Sequence, residues 1–245
     1  MKWNWIKGCV AAIAMTATTF ADFSHASLTT AGCLNEDQFC TLEELAGGAS
    51  LVVNGRLFSN WSASDASSIG VNLSRIEIHP LDDQPAGAAV RYRTNGELTT
   101  AGLDEIDLDL FFTVSALATA SRFDTSSLVL DDVAFGSTNQ GGFVRVSQDL
   151  WSASGIDWLG GQDVLATFAG PSNVHDILSL TPPESVLSVT THFLITGDGA
   201  IDEVSLNGFT QRFSEAPEPA SLALVGLALS ACWSAARRWP TARRP

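Results

Sequence analysis

The sequence predicts an all-β fold, an antiparallel β-sandwich of jelly-roll type, set between an N-terminal signal helix and a C-terminal transmembrane helix. Three observations predict it. Between residues 50 and 213 the apolar side chains recur with a period of two, in short runs. Gly, Asn, Asp, Ser or Pro separates these runs at short, regular intervals, as turns do in a sandwich. No long amphipathic helix interrupts them, which argues against an alternating α/β architecture.

Residues 1–26 read as a secretory signal. Lys2 and Lys7 form the charged start, Gly8 to Ala21 the apolar stretch, and Ser24-His25-Ala26 supplies small residues at the two positions a signal peptidase inspects. Cys9 has no hydrophobic region before it, so a lipoprotein is rejected. Cys33 and Cys40 are then the only cysteines of the exported body, and an oxidising destination predicts that they pair. Two thiolates without a neighbouring His or further Cys do not close a zinc site. Thr41-Leu42-Glu43-Glu44-Leu45 predicts one short helix, capped by Thr41 and stopped by Gly47-Gly48.

From Ser50 the period is two. Leu51-Val52-Val53 and Arg56-Leu57-Phe58 flank Asn54-Gly55, which accepts the positive φ of a tight hairpin turn. Asn95-Gly96 predicts a second hairpin, between Val90–Arg93 and Leu98–Thr100. The clearest strand is Glu105–Val114, with Ile106, Leu108, Leu110, Phe112 and Val114 on one face and Glu105, Asp107, Asp109, Phe111 and Thr113 on the other. Further strands are predicted at Val71–Ile78, Ser127–Phe135, Phe143–Leu150, Asp163–Phe168, Val174–Leu180, Val186–Ile195 and Ala200–Phe213. The exported domain is therefore expected over residues 27–214, and a tail over 215–245.

That tail has three parts. Pro217-Glu218-Pro219 fixes φ twice and removes backbone donors, so regular structure cannot run through it. An apolar run from Leu222 to Ala236 follows, and Ala220–Ala236 as a helix is about 25 Å long, just short of a bilayer core. Arg237 and Arg238, with Arg243 and Arg244 beyond, would hold its end in the cytoplasm. An ordinary tail anchor or a docked helix is the alternative, but the run has no polar stripe.

The motif, helix and basic end resemble the PEP-CTERM sorting signal, also catalogued as the ice-binding protein C-terminal domain, over Pro217 to about Arg238. The resemblance implies recognition and cleavage by a membrane-embedded transpeptidase, the exosortase, in bacteria that make extracellular polysaccharide. It also implies a surface or matrix protein linked to exopolysaccharide or biofilm. The extra Trp239–Pro245 and the interruption by Cys232 and Trp233 depart from the usual pattern. The body is similar to the exported domain of many such proteins, in the Thr41–Leu45 turn after a cysteine, in Leu57–Trp61 and in Asp109–Val114, and this implies no activity.

Charge narrows the partners. Lys2, Lys7 and the four tail arginines account for six of the 13 basic residues, leaving seven in the body, all arginine. Of the 27 acidic residues only Asp22 and Glu218 lie outside Ser27–Pro217, so that stretch carries about −18 and repels nucleic acid and anionic lipid. No Gly-x-Ser-x-Gly elbow or phosphate loop occurs, and His79, His175 and His192 lack metal spacing, so no enzyme is predicted. Glu105, Asp107 and Asp109 share one face, which a solvated sheet surface explains; calcium is the alternative, if they converge with loop acids such as Asp198, Asp202 or Glu203. Phe111, however, stands where the third ligand of an Asp-x-Asp-x-Asp-Gly loop belongs. Trp61, Trp151 and Trp158 form either a stacking platform for sugar rings or part of a sandwich core. The repeated Trp-Ser-Ala-Ser at 61–64 and 151–154 has unrelated flanks and is read as coincidence. Ice binding would need a regular threonine array that the sequence does not contain.

Overall fold

The computed structural model describes residues 29–34, 38–81, 87–118 and 121–215. The signal segment, Pro217-Glu218-Pro219, the apolar run and Arg237-Arg238 lie outside the described residues. No helix among those described is long and apolar enough to cross a membrane.

In chain order the strands are β1 (Thr29–Ala31), β2 (Cys40–Thr41), β3 (Ser50–Val53), β4 (Arg56–Asp65), β5 (Glu77–Leu81), β6 (Ala88–Arg93) and β7 (Thr99–Ala101). They continue with β8 (Glu105–Ala116), β9 (Phe123–Phe135), β10 (Phe143–Trp151), β11 (Trp158–Thr167), β12 (His175–Glu184), β13 (Val186–Thr196) and β14 (Glu203–Glu215). Among the described residues one α-helix, α1 (Leu42–Ala46), interrupts them. Two sheets result, β1-β3-β4-β8-β13-β10-β11 and β12-β9-β14-β6-β5-β2, with β7 also paired to β14. Every pairing between these strands is antiparallel. Within this, β8-β13-β10-β11 faces β6-β14-β9-β12, and the chain crosses between sheets at each step except the β10–β11 hairpin. Two interlocked Greek keys of this order make a jelly roll.

The sequence periods explain the packing. β8 is the middle strand of the first sheet, and Ile106, Leu108, Leu110, Phe112 and Val114 are all buried. Phe58, Phe112, Phe123 and Phe213 meet at ring separations of 5.8–6.4 Å, mostly edge to face. Within the second sheet Tyr92 stacks on its cross-strand partner Phe209 at 3.9 Å. α1 begins with a full capping box between Thr41 and Glu44 and ends at Gly47, burying Leu42 and Leu45. Burial pushes the Glu44 pKa up, but hydrogen bonds from the Thr41 and Leu34 backbone N–H groups and the Thr41 hydroxyl outweigh it and hold it low. Cys33 and Cys40 are joined by a disulfide with their Cα atoms 5.3 Å apart.

A polar chain crosses this core. Tyr92 Oη donates to Gln211 Oε1 (2.6 Å), and Gln211 Nε2 donates to Gln148 Oε1 (2.8 Å) and Thr191 Oγ1 (2.6 Å). Gln148 Nε2 in turn donates to Ser126 Oγ (2.9 Å) and Gln162 Oε1 (3.2 Å). Gln162 Nε2 ends the chain on the carbonyls of Ser126 and Asp176, both at 3.0 Å. Each amide hydrogen and oxygen has a partner, as burial demands.

Two expectations are corrected. The segments around Asn95-Gly96 do not form a hairpin: β6 and β7 both pair with β14, at Gly208–Phe213 and Glu203–Ser205. The turn is a detour on one edge of that strand, with the Thr94 hydroxyl bonded to Leu206 O at 2.6 Å. The strand predicted at Val71–Ile78 is instead a short 3-10 turn at Leu73–Arg75, capped by Asn72, followed by β5. The Asn72 side chain accepts from Ser74 N–H and bends the chain before the strand begins.

The chain enters and leaves this fold at one end. Thr29 lies opposite Val52, and Val52 opposite Leu57, beside the Asn54-Gly55 turn. Glu215, the last residue of β14, forms an ion pair with Arg56, the first residue of β4, and both side chains are largely buried.

Candidate functional site

The outer face of the first sheet is the surface on which alternation places aromatic and polar side chains together. Its rows follow from register. Phe111 on β8 is opposite Ser62 and Thr190, Thr190 is opposite Asp149, and Asp149 is opposite Gly161. One row along, Asp109 is opposite His192, His192 opposite Ser147, and Ser147 opposite Asp163. On the other side Trp151 is paired with Trp158 across a bulge after Leu150.

Trp158 is the most exposed described tryptophan, at 59%. Its Nε1 donates to Asp149 Oδ1 at 3.0 Å, which fixes the indole although solvent reaches it. Gly161 makes this arrangement fit: a Cβ there would stand 2.9 Å from Asp149 Oδ1 and 3.7 Å from the indole edge. The turn between the two tryptophans is tied down by Ser152 N–H on Asp157 O and by Gly155 at φ +70°. Trp151 is half-buried and Phe111 is 39% exposed.

The third tryptophan is not part of this face. Trp61 is buried and stacks on Phe112 at 4.2 Å and 14°, and its Nε1 has no partner among the described residues. The cause is Asn60, whose φ of +56° accompanies a register shift between Ser59 and Ser62. The bulge reverses parity, so Phe58 and Trp61, three residues apart, both point inward. Trp61 is therefore a core residue, and the expectation of a sugar contact there is withdrawn.

The ionic groups of the face are mostly paired. Arg145 Nε meets Asp163 Oδ1 at 2.7 Å, and this hydrogen bond and charge raise its pKa further. His192 Nε2 meets Asp107 Oδ1 at 2.9 Å. Ser147 lies opposite His192, but no hydrogen bond joins them among the described residues, so the three do not form a relay to a nucleophile. Among the described residues no three His, Cys, Asp or Glu side chains gather to hold a metal ion.

The loop acid named with calcium has another task. Asp202 is buried and accepts four backbone N–H groups: Gln140 at 2.7 Å, Gly141 at 3.1 Å, Asp198 at 3.0 Å and Gly199 at 2.8 Å. The Gln140 bond foremost, then those from Asp198, Gly199 and Gly141, outweighs burial and lowers its pKa. It staples the β9–β10 loop to the β13–β14 loop.

At the opposite end, Glu215 closes β14, and the chain passes directly from it into the tail. Residues 215–238 match the model of the PEP-CTERM protein-sorting motif. The PEP-CTERM match thus starts on a residue still held in the sheet by Arg56. No curated protein matches the chain. Among solved structures it is similar to TmCBM61 in complex with β-1,4-galactotriose, at 12% identity over 65% of this chain and 90% of that one, with a TM-score of 0.31. It is similar to the family 11 carbohydrate-binding module of Clostridium thermocellum in complex with a β-1,3-1,4-mixed-linked tetrasaccharide, at 13% identity over 65% and 91%, with a TM-score of 0.22. A third is the enzymatically active domain of tailspike protein 4 from bacteriophage CBA120, at 8% identity over 64% and 20%, with a TM-score of 0.29.

Proposed function

We propose that this chain is a non-enzymatic, exported bacterial protein, delivered by its PEP-CTERM tail to an exosortase and then to the cell surface or extracellular matrix. The observation that carries this is the match over residues 215–238, continuous with the last strand of the β-domain. In this reading a signal peptidase removes residues 1–26, and Leu222–Ala236 holds the precursor in the inner membrane with Arg237 and Arg238 inside. Pro217, Glu218 and Pro219 form the recognition element, kept extended because proline bars helix at its entry. The exported domain, 27–214, then acts in the exopolysaccharide or biofilm. The test replaces Pro217-Glu218-Pro219 with three alanines in a host that has an exosortase. The expected result is accumulation of the variant at tail-bearing mass in the inner membrane, while the unaltered protein loses its tail. If both keep the tail, a plain membrane anchor replaces the sorting reading.

A second reading concerns the domain itself, as a carbohydrate-binding module. It is favoured by the paired Trp151 and Trp158 on the outer face, with the Trp158 indole exposed yet fixed by Asp149. Sugar rings present apolar C–H faces that stack on such indoles. Trp158→Ala should weaken retardation in a polysaccharide-containing native gel by about tenfold without lowering the melting temperature. Retention of full binding by that variant would remove the role of this pair.

A further inference from the structure

The aromatic side chains of the outer face are interleaved with carboxylates, and the arrangement bears on which polymers the face accepts. Asp149 lies in the row between Gly161, beside which the Trp158 indole sits, and Thr190, which leads on to Phe111. Asp109 is two residues before Phe111 on the same face of β8. A chain stacked on Trp158 and reaching Phe111 crosses three strand spacings, about 14 Å, and passes over Asp149, with Asp109 in the next row beside its Phe111 end. That span suits an oligomer rather than a single sugar ring.

The arginine of these rows and the nearby imidazole are already engaged. Arg145 is held by Asp163 and His192 by Asp107, and the body contains no lysine. Asp109 and Asp149 therefore remain as uncompensated negative charges on a domain of about −18. A carboxylate is purely an acceptor, so it rewards hydroxyl donors and repels a carboxylate or sulfate on the incoming polymer. Partial desolvation under a stacked ring strengthens both effects.

We propose that this face selects uncharged, hydroxyl-rich polysaccharides and excludes polyuronates and other polyanions. The inference rests on the carbohydrate-binding reading above and adds the ligand class to it. Trp158 and Phe111 supply the stacking surfaces, and Asp109 and Asp149 supply hydroxyl acceptors and the discrimination.

The test uses the mature protein recovered from its exporting host, in native gels containing a neutral β-glucan, a neutral galactan, a neutral mannan or polygalacturonate. Retardation is expected in at least one neutral polymer and not in polygalacturonate. Trp158→Ala should weaken the neutral interaction by about tenfold, the order of one lost stacking contact. Asp109→Asn with Asp149→Asn keeps an acceptor oxygen for the Trp158 indole. It should retain neutral binding and gain polygalacturonate binding at moderate salt, where the repulsion from the rest of the domain is screened and the local carboxylates decide. Equal or stronger retardation of the unaltered protein by polygalacturonate overturns the selectivity and leaves the carbohydrate reading standing. Failure of the double variant to gain polyanion binding also overturns it. Retardation in none of the four polymers overturns both.

Discussion

Gln148→Leu tests whether the sandwich depends on its polar chain. Leucine keeps roughly the volume and removes the amide, so three buried groups lose a bond: one Nε2 hydrogen of Gln211, Oε1 of Gln162 and the Ser126 hydroxyl oxygen. The orphaned Gln211 hydrogen and Gln162 oxygen cost roughly 1–3 kcal/mol each, about 2–6 kcal/mol together, and the rotatable Ser126 hydroxyl adds the smallest share. The extra apolar burial of leucine offsets on the order of 1 kcal/mol. The expected net loss is about 3 kcal/mol, or roughly 6–12 °C in Tm for a domain of this size. Urea unfolding followed by tryptophan fluorescence measures it. The stronger test is a cycle with Gln162→Leu. In the double variant the orphaned Gln162 oxygen no longer exists, so the two losses should fall short of additivity by about 1–3 kcal/mol. Additivity within about 0.5 kcal/mol would refute the idea that these amides act as one unit.

Other outcomes follow from the same structure. The Asp202 pKa is depressed by its N–H donors, so its stabilisation is present above the unfolded-state pKa and is lost as pH falls through the folded value; an acid melt should show this loss, and Asp202→Asn should flatten it. Reduction of Cys33–Cys40 releases the loop it closes in the unfolded chain and should cost about 2–3 kcal/mol, with intact mass rising by two hydrogen atoms and urea midpoints falling. Leu110→Ala should cost about 2–5 kcal/mol because Leu110 is buried in the central strand, as chemical melts will show. Asp107→Ala, on the opposite face with a half-exposed histidine partner, should cost at most about 1 kcal/mol in the same assay.

How far the sequence discloses the fold depends on whether alternation is local. In β8 nothing breaks the period, and both faces are readable from Glu105 to Val114. In β4 the parity flips at Asn60, a single residue of positive φ, and this carries Trp61 into the core. The hairpin at Asn54-Gly55 and the supposed one at Asn95-Gly96 have the same turn dipeptide and positive φ values. Only the partner differs, since β14 lies alongside both β6 and β7 and displaces their mutual pairing. The parity of Val144, Val146 and Leu150 directs Gln148 inward, but its partners come from β9, β11 and β14 and leave no local trace. On the candidate face the outward position of Trp151 follows from the period, whereas the bulge that pairs it with Trp158 depends on Gly160-Gly161 and the loop between.

The position of β14 has a mechanical consequence. A protein retained at a surface through its C-terminal end is pulled at Glu215, along the axis of a strand hydrogen-bonded to β9 on one side and to β6 and β7 on the other. Such a pull shears its ladder bonds together, whereas a pull on the three-residue edge strand β1 would peel them from β3 pair by pair. The ion pair to Arg56 adds a crosswise tie between sheets where the force enters. Drag on a polymer bound to the first sheet would therefore pass through the core to the strand best placed to resist it.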